Sequence, residues 1–217
     1  MRISVAIDGP AGAGKSTIAK LVSKEFDLMY INTGAMYRAV ALIAKENNIE
    51  PTDIERLIDL IDTLEMHFEN DDLILNGINV QDKITMPEIS SIVSNYASIP
   101  EVREKLVNLQ RKMSEKYNVL MDGRDIGTVV LPNANIKIYQ IASSAVRAKR
   151  RYEENLAKGI TLPLEEIEKD IAHRDYLDIN KGFGALKKAD DAIELDTSDM
   201  SIEEVVAFIY NKALELM

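Results

Sequence analysis

Cysteine and tryptophan are absent from the 217 residues, and histidine occurs only as His67 and His173. Without cysteine there are no disulfides, thiol nucleophiles or thiolate metal sites. Two histidines far apart in sequence argue against a histidine metal cluster. No apolar run approaches the roughly 20 residues that span a bilayer. The chain opens directly on a strand-like segment, leaving no signal-like stretch, so a cytoplasmic protein without membrane attachment is expected. Positive charge is the minority sign: 26 Lys and Arg against 36 Asp and Glu give a net charge of −10. A general nucleic-acid binder needs a basic surface to release counterions, and that class is disfavoured. Capture of a small anion depends on local charge and stays open. A single domain over 1–217, acting as a monomer, is expected for this length.

The most informative stretch is Gly9-Pro10-Ala11-Gly12-Ala13-Gly14-Lys15-Ser16, which fits the phosphate-binding pattern Gly-x4-Gly-Lys-Ser/Thr. Ile3–Ile7 before it reads as a short buried strand, and Ile18, Ala19, Leu21 and Val22 after it keep helical spacing. Glycines let the backbone turn its N–H groups inward as a nest for anionic oxygens. The helix that follows adds its own unpaired N–H groups. Lys15 supplies a mobile positive charge for β- and γ-phosphates, the Ser16 hydroxyl can reach Mg2+, and Thr17 is a second hydroxyl near an α-phosphate. The pattern predicts nucleoside triphosphate binding.

Strand-like runs at Ile3–Ile7, Leu28–Ile31, Val119–Met121, Ile136–Ile141 and Ala192–Leu195 alternate with helical patterns at about 15–26, 34–47, 100–117, 144–158, 163–178 and 201–216. This alternation predicts an α/β fold with a five-stranded parallel sheet covered on both faces. Thr52-Asp53-Ile54-Glu55 and Ser201-Ile202-Glu203-Glu204 fit the capping box and predict two helix starts. Glu65–Glu69, Leu73–Asn76 and Ile78–Gln81 break the rhythm as a small antiparallel insertion, with turns at Asn70-Asp71-Asp72 and Gly77. Parallel sheets bind ligands beyond the carboxyl ends of their strands, so the segments after those ends draw attention.

After Ile31, Thr33 can cap a helix starting at Gly34, and Arg38 lies one turn in. Arg38 either faces solvent or grips a second, phosphate-bearing substrate. Asp122 ends a strand beside the phosphate loop, where an acid orders Mg2+ through water, and Arg124 and Asp125 follow in a glycine-flanked turn. Arg147, Lys149, Arg150 and Arg151 form the densest positive cluster. It is either a solvated helix face paired with Glu153 and Glu154 or a cationic flap that stabilises a transferring phosphoryl group and excludes water. Arg174 and Asp178, one helical turn apart, read in isolation as a surface ion pair.

Taken together, these segments resemble the bacterial cytidylate kinase family of phosphate-loop enzymes. The resemblance runs through Ile7-Asp8-Gly9-Pro10, Thr33 to Arg38, Ser94 with Val102-Arg103, Asp122-Gly123-Arg124-Asp125-Ile126-Gly127-Thr128-Val129-Val130, Arg147 to Arg151, Arg174-Asp175 with Asp178, and Lys188 to Ile193. The Asp-Gly-Arg-Asp segment and the small-sheet insertion carry more specificity than the phosphate loop does. The resemblance implies the phosphate-loop NTPase fold with a monophosphate-binding region over 33–103, including the three-stranded insertion at about 64–82, and a helical lid over 144–162. It implies transfer of a phosphoryl group from ATP with Mg2+ to CMP and dCMP. Loop residues 9–17 would bind ATP. Thr33, Arg38 and Arg124 would hold the acceptor near its phosphate, Ser94, Arg103 and Asp125 would read cytosine, and Asp178 the ribose. Arg147, Arg150 and Arg151 would belong to the lid, with Arg174 and Lys15 acting on the transferred group. Cytosine's N4 amine is a donor that suits the Asp125 carboxylate, whereas uracil offers a carbonyl there.

The chain departs from the family pattern in two places. Lys181 replaces an arginine expected to contact the acceptor, keeping the charge but losing the two-pronged grip, and Ala185 replaces a proline. Other readings are a kinase for another small acceptor such as UMP or AMP, a slow nucleotide switch, or a module using Arg147–Arg151 as a basic patch. The guanine-specifying Asn/Thr-Lys-x-Asp motif is absent.

Overall fold

The computed structural model describes residues 2–157 and 159–216. In chain order its elements are β1 (Ser4–Asp8), α1 (Lys15–Glu25), β2 (Met29–Asn32), α2 (Thr33–Glu46), α3 (Ile54–Asp62), β3 (Met66–Glu69), β4 (Asp72–Leu75), β5 (Ile78–Asn79), α4 (Gln81–Ile84), α5 (Pro87–Ala97), α6 (Pro100–Lys116), β6 (Val119–Gly123), a single π-helical turn (Ile126–Val130), β7 (Ile136–Ile141), α7 (Ser144–Ala157), α8 (Leu164–Asn180), β8 (Ile193–Asp196) and α9 (Ile202–Leu216). The end of the helix expected at 144–158 falls on residue 158, outside the described residues.

The main sheet has the order β2-β6-β1-β7-β8, and every pairing in it is parallel. Side chains alternate across it with period two. Val5, Ile7, Tyr30 and Leu120 enter one core with Ile18, Val22, Val205 and Ile209 of α1 and α9. Ala6, Ile31, Val119 and Met121 enter the other with residues of α2, α3, α5 and α6. Both faces are therefore buried, which explains why the strands read as mostly apolar runs without a polar face. From β1 the chain goes first to β2 and β6 on one side and later to β7 and β8 on the other, so the switch point lies between β1 and β6. Register places Ile7 opposite Asp122, Asp8 opposite Gly123, and Asn32 opposite Asp122. The chemically interesting ends of three neighbouring strands thus meet at one edge.

The insertion is an antiparallel sheet of order β3-β4-β5, whose Met66, Phe68, Leu73 and Leu75 join the core beside α2. Its turns occupy positive φ at Asn70 and Asp71, and again at Asn76 and Gly77, the pairing that primed hairpin turns require. A separate, smaller cluster of Ala148, Ile167 and Ile171, with Tyr152 against it, joins α7 to α8.

Several boundaries differ from expectation. The cap of α2 is Asn32, which accepts from the Ala35 amide at 2.9 Å, so Thr33 is already helical. At α3 the cap is Asp53, accepting from the Arg56 amide at 3.3 Å, in place of Thr52. The Ser201–Glu204 box forms reciprocally, with bonds of 2.8 and 3.2 Å. The third small strand stops at Asn79, and Gln81 enters a short helix. Helix α5 falls where no helical pattern is read from the sequence. Its buried Ile89, Val93 and Tyr96 nevertheless keep helical spacing.

Candidate active site

A cavity of about 1130 Å³ opens beyond the carboxyl ends of β1, β2 and β6, reaching toward α7, α8 and the segment after β8. Residues 11–18 of the phosphate loop line one side. Thr33, Arg38, Ser94, Arg103, Arg124 and Asp125 line the other. Arg150, Arg151, Arg174, Asp178 and Lys181 of α7, α8 and the residue after it complete the lining.

The loop takes its shape from backbone that only glycine adopts cheaply, with φ of 150° at Gly9, 75° at Gly12 and 86° at Gly14. At Gly9 a Cβ would run into the carbonyl of Gln140, so β1 and β7 approach too closely for any other residue. Gly9 and Pro10 do not line the cavity. Pro10 instead contributes its carbonyl, which accepts from Lys15 Nζ at 2.8 Å. Burial pushes the Lys15 ammonium down to about 7, helped by the Arg124 charge and opposed by Asp122, Asp8 and Asp178.

Ser16 Oγ donates to Asp122 Oδ2 at 2.8 Å, and the Tyr30 hydroxyl donates to Asp122 Oδ1 at 2.8 Å. Thr33 Oγ1 donates to the Asp122 carbonyl at 2.7 Å. Burial pushes the Tyr30 phenol up, with the Asp122 charge adding to it, so Tyr30 serves as a neutral donor. The Ser16–Asp122 pair offers hard oxygen donors. Among the described residues no cluster of three or more His, Cys, Asp or Glu side chains is arranged to hold a metal. This donor set fits Mg2+, which keeps several waters and takes further ligands from phosphates.

On the opposite side, Arg103 Nη2 pairs with Asp125 Oδ2, both side chains almost fully buried. The Arg103 guanidinium lies 5.2 Å from the Tyr37 ring centre and 5.8 Å from that of Phe183, so two aromatic faces hold it. Its Nη1 donates to the Ala97 carbonyl at 3.1 Å, tying it to the end of α5, the helix that carries Ser94. Arg124 Nε donates to Asp178 Oδ2 at 2.6 Å, and Lys181 Nζ donates to Asp178 Oδ1 at 3.4 Å. Burial would raise the Asp178 carboxyl, yet Arg124 and Lys181 hold it below the usual range. Arg38 has its Nε buried without a hydrogen-bond partner among the described residues. Burial pushes its guanidinium down to about 10. Burial also lowers Arg174, with Arg124 and Arg151 adding repulsion. Arg38, Arg124, Arg174 and Lys181 thus line one cavity with Asp122 and Asp178 between them, and the repulsion that Arg124 exerts on Arg38 and Arg174 shows that these carboxylates do not fully offset the positive charge there.

The basic helix divides in two. Arg150 donates to the Thr197 carbonyl at 2.7 Å and Arg151 sits 3.9 Å from Glu154, and both face the cavity. Arg147, expected in the same role, does not line the cavity. It is buried, with Nε donating to the Ala142 carbonyl at 2.9 Å, Nη1 to that of Ala11 at 3.0 Å and Nη2 to Asp175 Oδ2 at 2.7 Å. With its donors so engaged, Arg147 braces the phosphate loop from beneath and α7 against α8.

Some site residues escaped the sequence reading. Asp8 accepts from the Ile126 and Gly127 amides at 2.8 and 2.7 Å. Burial pushes its carboxyl up to about 6 despite those two bonds. Gln140 donates from Nε2 to the Ala13 carbonyl at 2.6 Å. Both are polar residues at the ends of apolar strands, and that interruption is a sequence signal. Tyr37 and Phe183 left no such signal, since an aromatic residue is ordinarily read as packing.

The family model for cytidylate kinase matches residues 5–215. A cytidylate kinase of Clostridium perfringens is 60% identical over 204 residues, 94% of each chain. One of Clostridium acetobutylicum is 59% identical over 209 residues, 96% of each chain. Among solved structures, the fold is similar to a shikimate kinase from Bacteroides thetaiotaomicron, at a TM-score of 0.51 and 13% identity, covering 99% of each chain. It is also similar to an uncharacterised protein from Eubacterium ventriosum, at 0.55 and 15%, again over 99% of each. The resemblance read from the motifs therefore extends to nearly the whole sequence: this chain belongs to the cytidylate kinase family.

Proposed function

We propose that this chain transfers the γ-phosphoryl group of ATP to CMP, and to dCMP, yielding ADP and CDP or dCDP. The observation that carries this reading is the opposition, across one cavity, of a glycine-built phosphate loop and the buried Arg103–Asp125 pair. Asp125 Oδ2 is taken by Arg103, and its other oxygen is left to accept from the cytosine N4 amine. Uracil would set a carbonyl against that carboxylate, and a buried mismatch of this kind discriminates strongly. Ser94 adds a hydroxyl for the base and Asp178 an acceptor for the ribose. Thr33, Arg38, Arg124 and Lys181 gather around the acceptor phosphate.

In the reaction an oxygen of the acceptor phosphate forms a bond to the γ-phosphorus while the bond to the β–γ bridging oxygen breaks. No covalent enzyme intermediate is needed, and the attacking oxygen is already anionic near pH 7. Catalysis then rests on alignment and charge. Residues 9–17 hold the ATP phosphates, with Lys15 on the β- and γ-oxygens. Arg150, Arg151 and Arg174 offset the equatorial charge that builds as the group moves. Mg2+, held through Ser16 and, by way of water, Asp122, would supply neutralisation of the ATP phosphates. We assign 1–217 as one domain, 33–103 as its acceptor-binding region and 144–162 as a lid whose closure excludes water. No helix among the described residues is long and apolar enough to cross a membrane. We take the enzyme to work as a cytoplasmic monomer on small nucleotides and to leave nucleic acids alone.

An acceptor panel of CMP, dCMP, UMP, AMP, GMP and shikimate with ATP and Mg2+ tests the reading. CMP and dCMP are expected to lead, with the preference lost in Asp125→Ala. Equal rates on UMP and CMP would overturn the assignment of Asp125.

A further inference from the structure

Asp125 immediately precedes the π-helical turn Ile126–Val130, and its side chain makes no capping bond to that turn. The turn's first two amides are satisfied instead from across the sheet. Asp8, last residue of β1 and immediately before Gly9, accepts from Ile126 N at 2.8 Å through Oδ1 and from Gly127 N at 2.7 Å through Oδ2. The geometry points to Asp8 as a positioning residue for acceptor recognition: by capping the turn after Asp125 in its place, it leaves the Asp125 carboxylate free to face Arg103 and the base. This inference rests on the acceptor reading above.

Three observations support it. First, a short acidic side chain at the start of a turn ordinarily bonds that turn's own amides, which would draw Asp125 away from the cavity. Capping by Asp8 takes the Gly127 amide out of that competition. Second, Asp8 is rigidly mounted, pairing with Gly123 on one side and Tyr139 on the other in the centre of the sheet. Third, the same residue leads directly into the phosphate loop. One carboxylate therefore sets the spacing between the element that grips ATP and the element that reads the base, and a near-attack geometry tolerates little error in that spacing. The packing is close as well: a Cβ on Gly127 would sit 3.4 Å from Asp8 Oδ2 and 3.2 Å from Lys137 Cδ.

Asp8→Asn keeps the volume but turns an amide donor toward one of the two N–H groups. We expect its CMP-to-UMP ratio of kcat/KM to fall tenfold or more while the KM for ATP stays within threefold. On an Asp125→Ala background, Asp8→Asn should change the CMP-to-UMP ratio of kcat/KM by less than threefold, because the base-reading residue it positions is gone. A smaller fall in the ratio, or effects that multiply in the double variant, overturns the proposal. Amide exchange provides a readout independent of the acceptor. Ile126 and Gly127 should be protected in the unaltered protein and in Asp125→Ala, and should exchange at least tenfold faster in Asp8→Asn. Unprotected amides in the unaltered protein, or unchanged exchange in Asp8→Asn, would sink the clamp even if the variant were poorly folded. A protein that shows no CMP preference but keeps the exchange pattern would fail the acceptor reading alone.

Discussion

Arg124 and Asp178 are 54 residues apart in sequence, and in the lining of the cavity Arg124 Nε donates to Asp178 Oδ2 at 2.6 Å. The bond joins the turn after β6 to α8, and both side chains are only about a fifth exposed. Arg124 is thereby held in one orientation before any acceptor arrives.

Removing that restraint should weaken acceptor binding specifically. Asp178→Ala is expected to raise the KM for CMP about tenfold or more, in line with the loss of a hydrogen bond to a charged group, and to leave the KM for ATP unchanged. Steady-state kinetics with each substrate varied in turn checks this. An equal rise in both constants would place the Arg124–Asp178 pair outside acceptor binding.

Lys15 carries a pH signature. Its folded-state value, lowered to about 7, lies below the ordinary value of 10.5, so between those limits the free enzyme has lost a proton that the unfolded chain retains. Stability from this group therefore rises with pH through that window, and the cost of burying the charge is fully present below about pH 7. Lys15→Met should raise the melting temperature of the nucleotide-free protein at pH 6.5, and the gain should shrink toward pH 10. ATP binding near pH 8 should take up a proton, seen as a buffer-dependent heat in calorimetry, and Lys15→Met should abolish it. The same variant should lower kcat by about 10²-fold or more.

Arg147 and Arg151 occupy the same helix but should respond differently. Arg147→Ala leaves the Asp175 carboxylate without its partner and strips donors from two buried carbonyls, a type of loss worth about 3–5 kcal/mol. Thermal denaturation should show a drop of several degrees. Arg151→Ala, near the cavity and paired only weakly with Glu154, should leave the melting temperature within about a degree, since exposed pairs contribute roughly 0–1 kcal/mol. It should lower kcat instead. A stable but inactive Arg147→Ala would return that residue to the reacting group.

Gly184 presses on the base-reading pair. Its φ is 66°, and a Cβ there would overlap both the Arg103 guanidinium and the Asp125 carboxylate. Gly184→Ala should cost about 1–2 kcal/mol of stability from the left-handed backbone alone. It should also raise the KM for CMP several-fold by displacing Arg103 or Asp125. Denaturant unfolding together with acceptor kinetics separates the two effects. An unchanged KM would mean that this loop lies clear of the base.

How much was legible in the sequence varies by element. Strand positions in the parallel sheet were readable because burial on both faces favours short, mostly apolar runs rich in β-branched residues, such as Ile3–Ile7. The insertion was readable from its turns, where Asn70-Asp71 and Asn76-Gly77 accept positive φ. Helix α5 was not: no helical pattern is read over 87–97, and Ile89 and Val93 show their role only once they are buried in the core with α2. Capping at Asn32 in place of Thr33 was equally hidden, since Thr33 Oγ1 is committed to the Asp122 carbonyl 89 residues away.

By itself the sequence determined much that depends on neighbours along the chain: the phosphate loop, with its glycine-only backbone angles and its lysine, most of the strand and helix periods, and the order in which charged segments follow strand ends. Tertiary structure decided which of those charges are spent on the protein and which are left for ligands. Arg147 is consumed by backbone carbonyls of Ala11 and Ala142, whereas Arg38 keeps a buried Nε without a partner among the described residues. Asp8 is bound to amides 118 and 119 residues away. The reason is physical. A buried charge must find a partner or remain costly, and for these residues the partners come from segments distant in sequence that only the folded sheet brings within hydrogen-bond reach.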